Sequence, residues 1–392
     1  MSRSHSFQSA TPRIAVLVDT STTWGRGILK GIHSYCRNHE SWHLYFEPGG
    51  LRDPVRLPQD WKADGIIARI SSDKEATSLR RQKAPVINVS SVRLSRNEFA
   101  TVSNDVEAVA KMAVDYFLER GYRNFAYLSL HGLEYVVRQS EAFVAEVRKA
   151  GCHASVKAVN PHFAFHSPDW NLKIGRLATW LESLPKPVAL LTWSGGKEII
   201  HACLQAGLRV PNDVALLSGS EDELICGLSP IPISGVQAAC EQIGYQAAAL
   251  LSYRMRARGR GALEQKVIAP LGVVTRQSTD TFAIEDAGLL HALNFIQEHR
   301  LQNLGVDEVA RASGLSRSVL ERRFRGILGQ SPAAYIAMSK IRVVKKYLSE
   351  TNYSIAQIAE MNGYCSPEYM STIFKKMMRT TPLGYRRESR PS

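Results

Sequence analysis

The feature that most constrains this chain is a helix-turn-helix pattern that occurs twice toward its C-terminal end, 49 to 50 residues apart. The two copies span residues 306–324 and 355–374. In each copy, apolar residues at positions i, i+3 and i+4 predict an amphipathic helix with one buried stripe. A glycine follows, Gly314 or Gly363, where a tight turn between helices favours a residue that tolerates positive φ. The spacing therefore predicts two similar helical units in tandem.

The second helix of each copy is predicted to start at a capping serine, Ser316 or Ser366, and to bury two large apolar side chains. These anchors are Leu320 and Phe324 in the first copy, and Met370 and Phe374 in the second. The outward residues that we expect to contact DNA are Arg317, Ser318, Glu321, Arg322 and Arg325, followed in the second copy by Pro367, Glu368, Ser371, Thr372 and Lys375. Arginine can pair with guanine, and glutamate can accept from cytosine N4. The alternative is two amphipathic hairpins in an ordinary helical domain.

The segment from about Asp286 to Arg387 resembles the AraC-type DNA-binding domain. Besides the two helix-turn-helix units, the resemblance includes Pro332 and Tyr335 at the start of a connecting helix, and the closing TTPLGYRR. A connecting helix of 19 residues, from Pro332 to about Glu350, is roughly 28 Å long, which is near the ~34 Å of one duplex turn. The resemblance implies that one chain places two recognition helices in successive major grooves. We call this predicted domain the reader.

Charge is concentrated in the same part of the chain. The 392 residues carry a formal net charge of +13, and from Asp286 onward 16 Lys and Arg stand against 9 Asp and Glu. A polyanionic partner such as DNA requires this excess of positive charge. Six scattered cysteines without a C-x-x-C pair are typical of buried thiols in a reducing compartment. With no apolar signal core near the start of the sequence, we expect a cytoplasmic protein.

The first two thirds of the chain alternate apolar runs with helical stretches, which predicts parallel α/β sheets covered on both faces. The predicted strands are residues 14–18, 65–70, 85–89, 125–130, 188–192 and 214–218. The predicted helices are residues 25–37, 106–120, 134–150, 173–184, 197–206 and 238–258. So long a stretch exceeds one sheet, so we expect two lobes. The predicted organisation is a disordered segment at 1–12, a two-lobed sensor at 13–275, a linker at 276–287 and the reader at 288–388.

Polar side chains gather where the predicted strands end, and a ligand of a parallel sheet binds outside those carboxyl ends. Aromatic, carboxylate and amide groups together suit a sugar, which needs a stacking face and paired hydrogen bonds. The candidate ligand-binding residues are Trp24, Arg26, Asp105, Arg138, Ser194, Glu221 and Asp222. The alternative for each is an ordinary role in the loop, such as capping of the next helix by Asp105.

This region resembles the LacI-type, periplasmic-binding-protein-like sensor and, more narrowly, the sensor of XylR-type regulators of xylose operons. The supporting stretches are WGRGILKGIHSYCR, DWKADGIIARI, VSNDVEA, LERGYRNFAYLS, AGLRVPNDVALLS and TRQSTD. The resemblance implies a homodimer in which ligand closes the lobes, with Asp105 facing the ligand and Trp24 and Arg26 on the opposite lobe. The chain departs from the family's N-D-D-R loop at Ser194 to Lys197 and from its D-N-D loop at Ser220 to Asp222, and a family arginine falls at Gln139 or Arg138.

Together these features predict a DNA-binding transcription regulator of sugar catabolism, which we expect to be an activator that contacts RNA polymerase. Its effector is expected to be xylose or a related sugar. One alternative is a ligand-independent regulator with a vestigial pocket, and another is a sugar-processing enzyme with an appended helical domain. The sequence contains no nucleophile elbow or P-loop, and we expect no enzyme activity, no metal and no cofactor.

Overall fold

The computed structural model describes residues 11–50, 57, 61–96, 98–160, 169–257 and 262–389. The chain forms two compact units, of which unit 1 comprises the residues up to Asp105 together with Ala239–Ile268. Unit 2 comprises Val106–Ala238 and Ala269–Arg390. The chain therefore passes between the units three times. The predicted disordered segment at 1–12 lies outside the described residues up to residue 10.

The strands, in chain order, are β1 (Arg13–Leu17), β2 (His43–Tyr45), β3 (Gly65–Ala68), β4 (Val86–Asn88), β5 (Ala100–Asn104), β6 (Asn124–Leu130), β7 (His153–Val159), β8 (Val188–Thr192), β9 (Val214–Ser218), β10 (Ser234–Gln237), β11 (Gln265–Ile268) and β12 (Gly272–Val274). The helices are α1 (Thr23–His39), α2 (Asp73–Arg80), α3 (Val106–Leu118), α4 (Glu134–Lys149), α5 (Trp170–Ser183), α6 (Lys197–Gln205), α7 (Glu223–Gly227), α8 (Cys240–Arg256), α9 (Ala287–Glu298), α10 (Val306–Ala312), α11 (Arg317–Leu328), α12 (Pro332–Glu350), α13 (Ile355–Met361), α14 (Pro367–Met378) and α15 (Pro382–Ser389).

Unit 1 is a sheet of six parallel strands in the order β11-β5-β4-β3-β1-β2. Helices α1 and α8 cover one face, where Ile14, Ile28 and Ile243 belong to one buried cluster. These two helices pack backbone to backbone, since a Cβ on Gly31 would lie 2.0 Å from the Glu241 carbonyl oxygen, and any side chain there would force the helices apart. A second buried cluster on the same sheet includes Ala76 and Leu79 of α2.

Unit 2 contains a second six-stranded sheet, in the order β12-β10-β9-β8-β6-β7, and the seven helices of the reader. All neighbouring strands are parallel except β12, which pairs antiparallel with β10. Strands β8 and β9 are buried along their whole length. This burial explains why VALLT and VALLS show no alternation of polar and apolar residues. The predicted fold class, two α/β lobes followed by an all-helical domain, is confirmed.

Several strands escaped prediction because they lack a continuous apolar run. Strand β7 contains only exposed and partly buried residues and pairs on one side only, with β6. Strand β5 ends with the polar residues Ser103 and Asn104 and is absent from the predicted strands. It instead pairs with β4 and β11 at the centre of its half of the sheet. The pairing depends on a strand that comes about 160 residues later, which local sequence does not reveal.

The reader consists of α9 to α15, and its internal repeat extends to three helices per copy. After α11 and α14, a proline begins the next helix in each copy, Pro332 of α12 and Pro382 of α15. Three residues later a tyrosine packs edge-on against the buried phenylalanine of the preceding helix. The ring centroids are 5.7 Å apart for Phe324 and Tyr335, and 5.6 Å for Phe374 and Tyr385. Helix α12 has the predicted bounds and connects the two copies.

The cysteines are less buried than the sequence analysis expected. All six are free thiols, but Cys203 and Cys226 alone are buried, while Cys365 is exposed in the turn before α14. The prediction of six buried thiols is therefore wrong. Among the described residues, none of the helices combines the length and the apolar character needed to cross a bilayer.

Candidate DNA-binding surface and ligand-sensing residues

The turns and caps of the two helix-turn-helix units have the predicted geometry. Gly314 and Gly363 have φ values of 67° and 63°, in the left-handed region. A Cβ on Gly363 would also lie 2.5 Å from the carbonyl oxygen of Leu301, so no other residue fits this turn without a shift. Ser316 accepts a hydrogen bond from the Val319 amide, and Ser366 accepts one from the Tyr369 amide. These caps fix where α11 and α14 begin.

The outward face of α11 carries a charged network. Glu321 is flanked by two arginines of its own helix, with Arg317 at 3.4 Å and Arg325 at 3.6 Å. Arg317 also pairs with Asp307 of α10 at 3.1 Å. Arg322 is exposed and makes no ion pair with any described residue. Because exposed ion pairs contribute little free energy, these arginines can exchange their partners for phosphate or base edges at small cost.

The outward face of α14 is polar but less charged. Glu368, Thr372 and Lys375 are exposed, while Pro367 and Ser371 are partly buried. Hydrogen bonds from its own backbone amide and from the Ser366 hydroxyl lower the pKa of Glu368. A carboxylate at the start of a helix can accept a hydrogen bond from cytosine N4. The Thr372 hydroxyl donates a hydrogen bond to the backbone carbonyl oxygen of Glu368 at 2.9 Å. The two helices therefore present different chemistry to a double-stranded ligand.

Arg323 lies between the predicted DNA-contacting residues but has a structural role. Its guanidinium donates to the carboxylate of Asp286, which also caps α9 by accepting from the Leu289 amide. Because an α-helix has about 3.6 residues per turn, Arg323 is rotated by about 100° from Arg322 around the axis of α11. The ion pair attaches the first recognition helix to the start of the reader.

Lys340 of α12 is a residue that sequence reasoning missed. It is 6% exposed, and its ammonium donates to the Gly363 carbonyl at 3.3 Å and lies 4.9 Å from the centroid of the Tyr364 ring. Burial lowers its pKa. A lysine within a mixed helical pattern gave no signal for this contact. It fixes the turn of the second unit against the connecting helix, and thereby the direction of α14.

In unit 1, three buried polar atoms at the carboxyl edge of the sheet find no hydrogen-bond partner among the described residues. They are Oδ2 of Asp19, which follows β1, Nε1 of Trp24 in the first turn of α1, and Oδ1 of Asn104, the last residue of β5. The other carboxylate oxygen of Asp19 accepts from the Thr22 hydroxyl at 2.5 Å. Buried polar atoms are normally paired, so such orphans indicate a place for a polar ligand or water. Asn104 lay in the VSNDVEA stretch but was not among the candidates.

Arg26 and Asp105 have local partners in unit 1. The guanidinium of Arg26 donates to the carbonyl oxygens of Thr20 and Ser21, at 3.0 and 2.9 Å, and so fixes the loop that precedes α1. The Asp105 amide donates to the Ile268 carbonyl at 3.0 Å. Asp105 thus ends unit 1, and the expectation that Trp24 and Arg26 lie on the opposite lobe from it is wrong. Asp105 shares unit 1 with Trp24 and Arg26 because the chain passes into unit 2 only after β5, at Val106.

In unit 2, the carboxylates of Glu221 and Asp222 are engaged by the protein itself. Glu221 forms an ion pair with Arg276 at 2.5 Å, and its side chain is 8% exposed. Arg276 also donates to the Ile233 carbonyl at 3.0 Å. Asp222 caps α7 by accepting from the Ile225 amide at 3.1 Å. Both candidate residues therefore hold the loop after β9 in place.

The remaining candidates of unit 2 are Arg138, which precedes a buried glutamine in the sequence, and Ser194. Arg138 pairs with Glu107 at 3.2 Å, and Ser194 is exposed in the turn after β8. Gln139, the neighbour of Arg138, is fully buried, and its amide oxygen accepts from the Tyr127 hydroxyl at 2.7 Å. Its amide nitrogen finds no partner among the described residues. Gln139 in unit 2 therefore shares with Asp19, Trp24 and Asn104 of unit 1 a buried polar atom without a hydrogen-bond partner among the described residues.

Comparison with known proteins identifies each part of this architecture. Residues 13–109 match the family model of the XylR N-terminal domain, and residues 114–279 match that of a periplasmic binding protein-like domain. Residues 309–388 match a helix-turn-helix domain. The xylose operon regulatory protein of Escherichia coli K12 is 28% identical over 386 residues, 95% of this chain and 96% of that protein. The protein of the same name from Haemophilus influenzae is 27% identical over 385 residues, 95% of this chain and 98% of its own length.

The similarity extends to a solved structure of the same architecture. A structure described as the xylose-binding transcription activator xylR is 26% identical, with a TM-score of 0.62, and the match covers 96% of this chain and 98% of that one. Both the order of the domains and their fold are therefore shared along nearly the whole chain. Together these matches give the chain the domain order of the XylR-type DNA-binding transcription regulators, with a periplasmic-binding-protein-like sensor ahead of an AraC-type helix-turn-helix domain.

Proposed function

We propose that this regulator activates sugar catabolism genes in response to a neutral sugar, a pentose such as xylose or a close relative. The observation that carries the proposal is the set of orphaned polar atoms in unit 1, on Asp19, Trp24 and Asn104. Two of these atoms accept hydrogen bonds and one donates. A sugar hydroxyl both donates and accepts, so a polyol can satisfy all three. The names of the E. coli and H. influenzae relatives support xylose as the first sugar to test.

The charge of the site favours a neutral sugar over a sugar acid. Asp19 is buried, and a second carboxylate brought near it would add repulsion between like charges. The Trp24 indole offers both a stacking face and an N–H donor, which suits a ring with an apolar face and hydroxyl edges. Asp105 remains our candidate for a further acceptor. Because Glu221 and Asp222 are engaged by Arg276 and by the start of α7, the proposal does not depend on them.

Thermal unfolding with a panel of pentoses, hexoses and sugar acids tests the proposal. A ligand that binds only the folded protein stabilises it by about 2.7 kcal/mol at one hundred times its dissociation constant. We expect a shift with at least one neutral sugar. D-xylose should bind more weakly than in a typical member of the family, or be replaced by another sugar, since Ser194 and Ser220 replace carboxylate or amide residues of the family loops. If no sugar at millimolar concentration raises the melting temperature, the result would instead support a vestigial pocket that no longer binds sugar.

Matched variants locate the site. Trp24→Phe keeps the aromatic face but removes the N–H donor, so it should reduce the sugar-induced shift, and Asp105→Ala should abolish it while leaving DNA affinity without ligand unchanged. Trp42→Phe is the control, because Trp42 packs against the same buried cluster as Trp24. Equal shifts in the Trp24 and Trp42 variants would place the sugar elsewhere.

We also propose that the protein acts in the cytoplasm as a homodimer that binds tandem major-groove half-sites and contacts RNA polymerase. An exposed apolar patch in unit 2, at Leu224, Ile225 and Leu228, supports self-association, since Leu228 is 82% exposed. Sedimentation of the wild type and of Leu228→Asp tests the dimer. Transcription in vitro from a bound promoter separates activation from repression.

The domain boundaries remain part of the same proposal. We place the end of the sensor at 275 and the linker at 276–287. Strand β12 ends at Val274 and α9 begins at Ala287, which is compatible with these limits. Limited proteolysis, followed by mass determination of the fragments, tests whether cleavage falls within the linker.

A further inference from the structure

A short turn of the sensor makes specific contacts with the reader. The turn between α3 and β6, residues 119–123, approaches both the first recognition helix and the connecting helix. Glu119 forms an ion pair with Arg342 of α12. Their side chains are 24% and 34% exposed, so water screens this pair less than it screens a fully exposed one.

The same turn also holds the end of the first recognition helix. Arg123 donates a hydrogen bond to the carbonyl oxygen of Ile327, in the last turn of α11. The last carbonyls of a helix lack partners within the helix and carry partial negative charge, so a guanidinium there is doubly favourable. Between these two contacts, the Arg120 carbonyl accepts from the Ala283 amide at 2.8 Å, just before the reader begins.

The turn itself is rigidly supported by the core of unit 2. Phe117, two residues before the turn, and Tyr122, within it, are fully buried. Arg120 lies over the Tyr116 ring at 3.5 Å from its centroid. Gly121 has a φ of 83°, and a Cβ there would lie 2.6 Å from a side-chain carbon of Ile284. The turn is packed against buried side chains of unit 2, and its ion pair and hydrogen bond to α12 and α11 are directional. The turn therefore holds α11 and α12 in one orientation relative to the sheet of unit 2.

We propose that the 119–123 turn positions the reader for DNA recognition, with Glu119 and Arg123 as positioning residues that do not touch DNA. Helix α3 begins directly after Asp105, at the point where the chain leaves unit 1, and ends at this turn. A change at the start of α3 would therefore reach the recognition helix through one continuous helix of 13 residues. The proposal concerns DNA binding and is independent of which ligand, if any, the sensor takes.

A charge swap in the full-length protein tests the proposal. Glu119→Arg adds positive charge, which by itself should strengthen binding to every duplex through phosphate attraction. The positioning role predicts a different result, in which the affinity for a duplex selected by the wild-type protein falls relative to a scrambled duplex at the same salt concentration. We expect this ratio to fall by at least about fivefold, the lower range of coupling between sites. The double variant Glu119→Arg with Arg342→Glu should restore it to within about twofold.

The control is Asp115→Asn, which breaks the exposed ion pair between Lys111 and Asp115 on the same helix without touching the reader. Arg123→Met removes the contact with Ile327 and should also lower the ratio, although it leaves the Glu119 pair in place. If circular dichroism shows that the Glu119→Arg variant is unfolded, the Glu119→Gln variant is tested instead. A folded Glu119 variant with an unchanged ratio, or a double variant that does not recover it, would overturn the proposal.

Discussion

Replacing Lys345 by methionine should stabilise the reader, because this lysine carries its charge in an unfavourable place. Lys345 lies on α12, where its ammonium is 5.5 Å from the centroid of the Tyr385 ring. Burial, and next the positive charge of Arg342, lower the pKa of Lys345 from 10.5 to about 8. At pH 7 the ammonium is still charged, so the folded reader bears the cost of holding it.

The magnitude follows from the pKa. Since one pKa unit corresponds to about 1.4 kcal/mol, the difference between 10.5 and about 8 amounts to a cost of roughly 3 kcal/mol. The contact with Tyr385 offsets about 1 kcal/mol of this cost. Lys345→Met has a similar length and no charge, so we expect it to raise the free energy of unfolding by about 2 kcal/mol at pH 7. For a domain of this size that gain raises the melting temperature by roughly 10 °C.

The gain should depend on pH in a defined window. Between the folded pKa near 8 and the unfolded value of 10.5, the unfolded chain binds more protons, so the wild-type reader becomes more stable as pH rises. Well below pH 8, Lys345 is protonated in both the folded and the unfolded state, so the free-energy cost of its buried charge does not change with pH. The methionine variant lacks this group, so its advantage should be full at pH 7 and should shrink as the pH approaches 10.

Two optical signals separate the reader from the sensor. All six tryptophans lie between residues 24 and 193, so tryptophan fluorescence follows the sensor alone. Circular dichroism at 222 nm also follows the helices of the reader. Lys346→Met is the matched control, since Lys346 is the next residue and is exposed. Buried charge on Lys345 does not destabilise the reader if Lys345→Met leaves the melting temperature of the reader unchanged, or if the gain is equal at pH 7 and pH 9.5.

Three further substitutions test the reader. Arg322→Ala should weaken binding to a selected site by about 1–3 kcal/mol more than binding to a scrambled duplex, because an arginine that reads guanine specifies sequence; equal losses in titrations at fixed salt would make Arg322 a phosphate contact. Phe324→Ala should lower the free energy of unfolding of the reader by roughly 3–5 kcal/mol, since its ring is fully buried against Tyr335; an unchanged transition by circular dichroism would contradict this. Arg379→Gly should raise stability by about 1 kcal/mol, because Arg379 has a φ of 58° where Gly329 ends the first copy; a loss in the same melting assay would show that its side chain makes stabilising contacts.

The reader could be predicted from sequence because its determinants are local. Each helix-turn-helix unit lies within about 20 residues, and glycine, serine and proline mark its turns, caps and helix starts. Helix α12 therefore has the bounds that were predicted. The repeat of the Phe–Tyr contact, Phe324 with Tyr335 and Phe374 with Tyr385, went unnoticed because it links residues 11 apart across a helix boundary.

The ligand-sensing residues were harder to predict, because sequence shows residue types at strand ends but not which of their atoms remain without partners. Glu221 and Trp24 were equally good candidates by type and position. The fold places Arg276, 55 residues further along the chain, against Glu221, whereas Nε1 of Trp24 is buried without a partner among the described residues. Asn104 was overlooked because its strand is polar and pairs with a distant segment.

The sequence by itself determined the two helix-turn-helix units, the alternation of strands and helices and the excess of positive charge in the reader, since periodicity, capping and charge are properties of neighbouring residues. Tertiary structure alone decided which polar atoms are satisfied, that Asp105 belongs to unit 1 with Trp24, and that Glu119 contacts Arg342. Each of these depends on residues that are far apart in the chain and are brought together only when the sheets and helices pack.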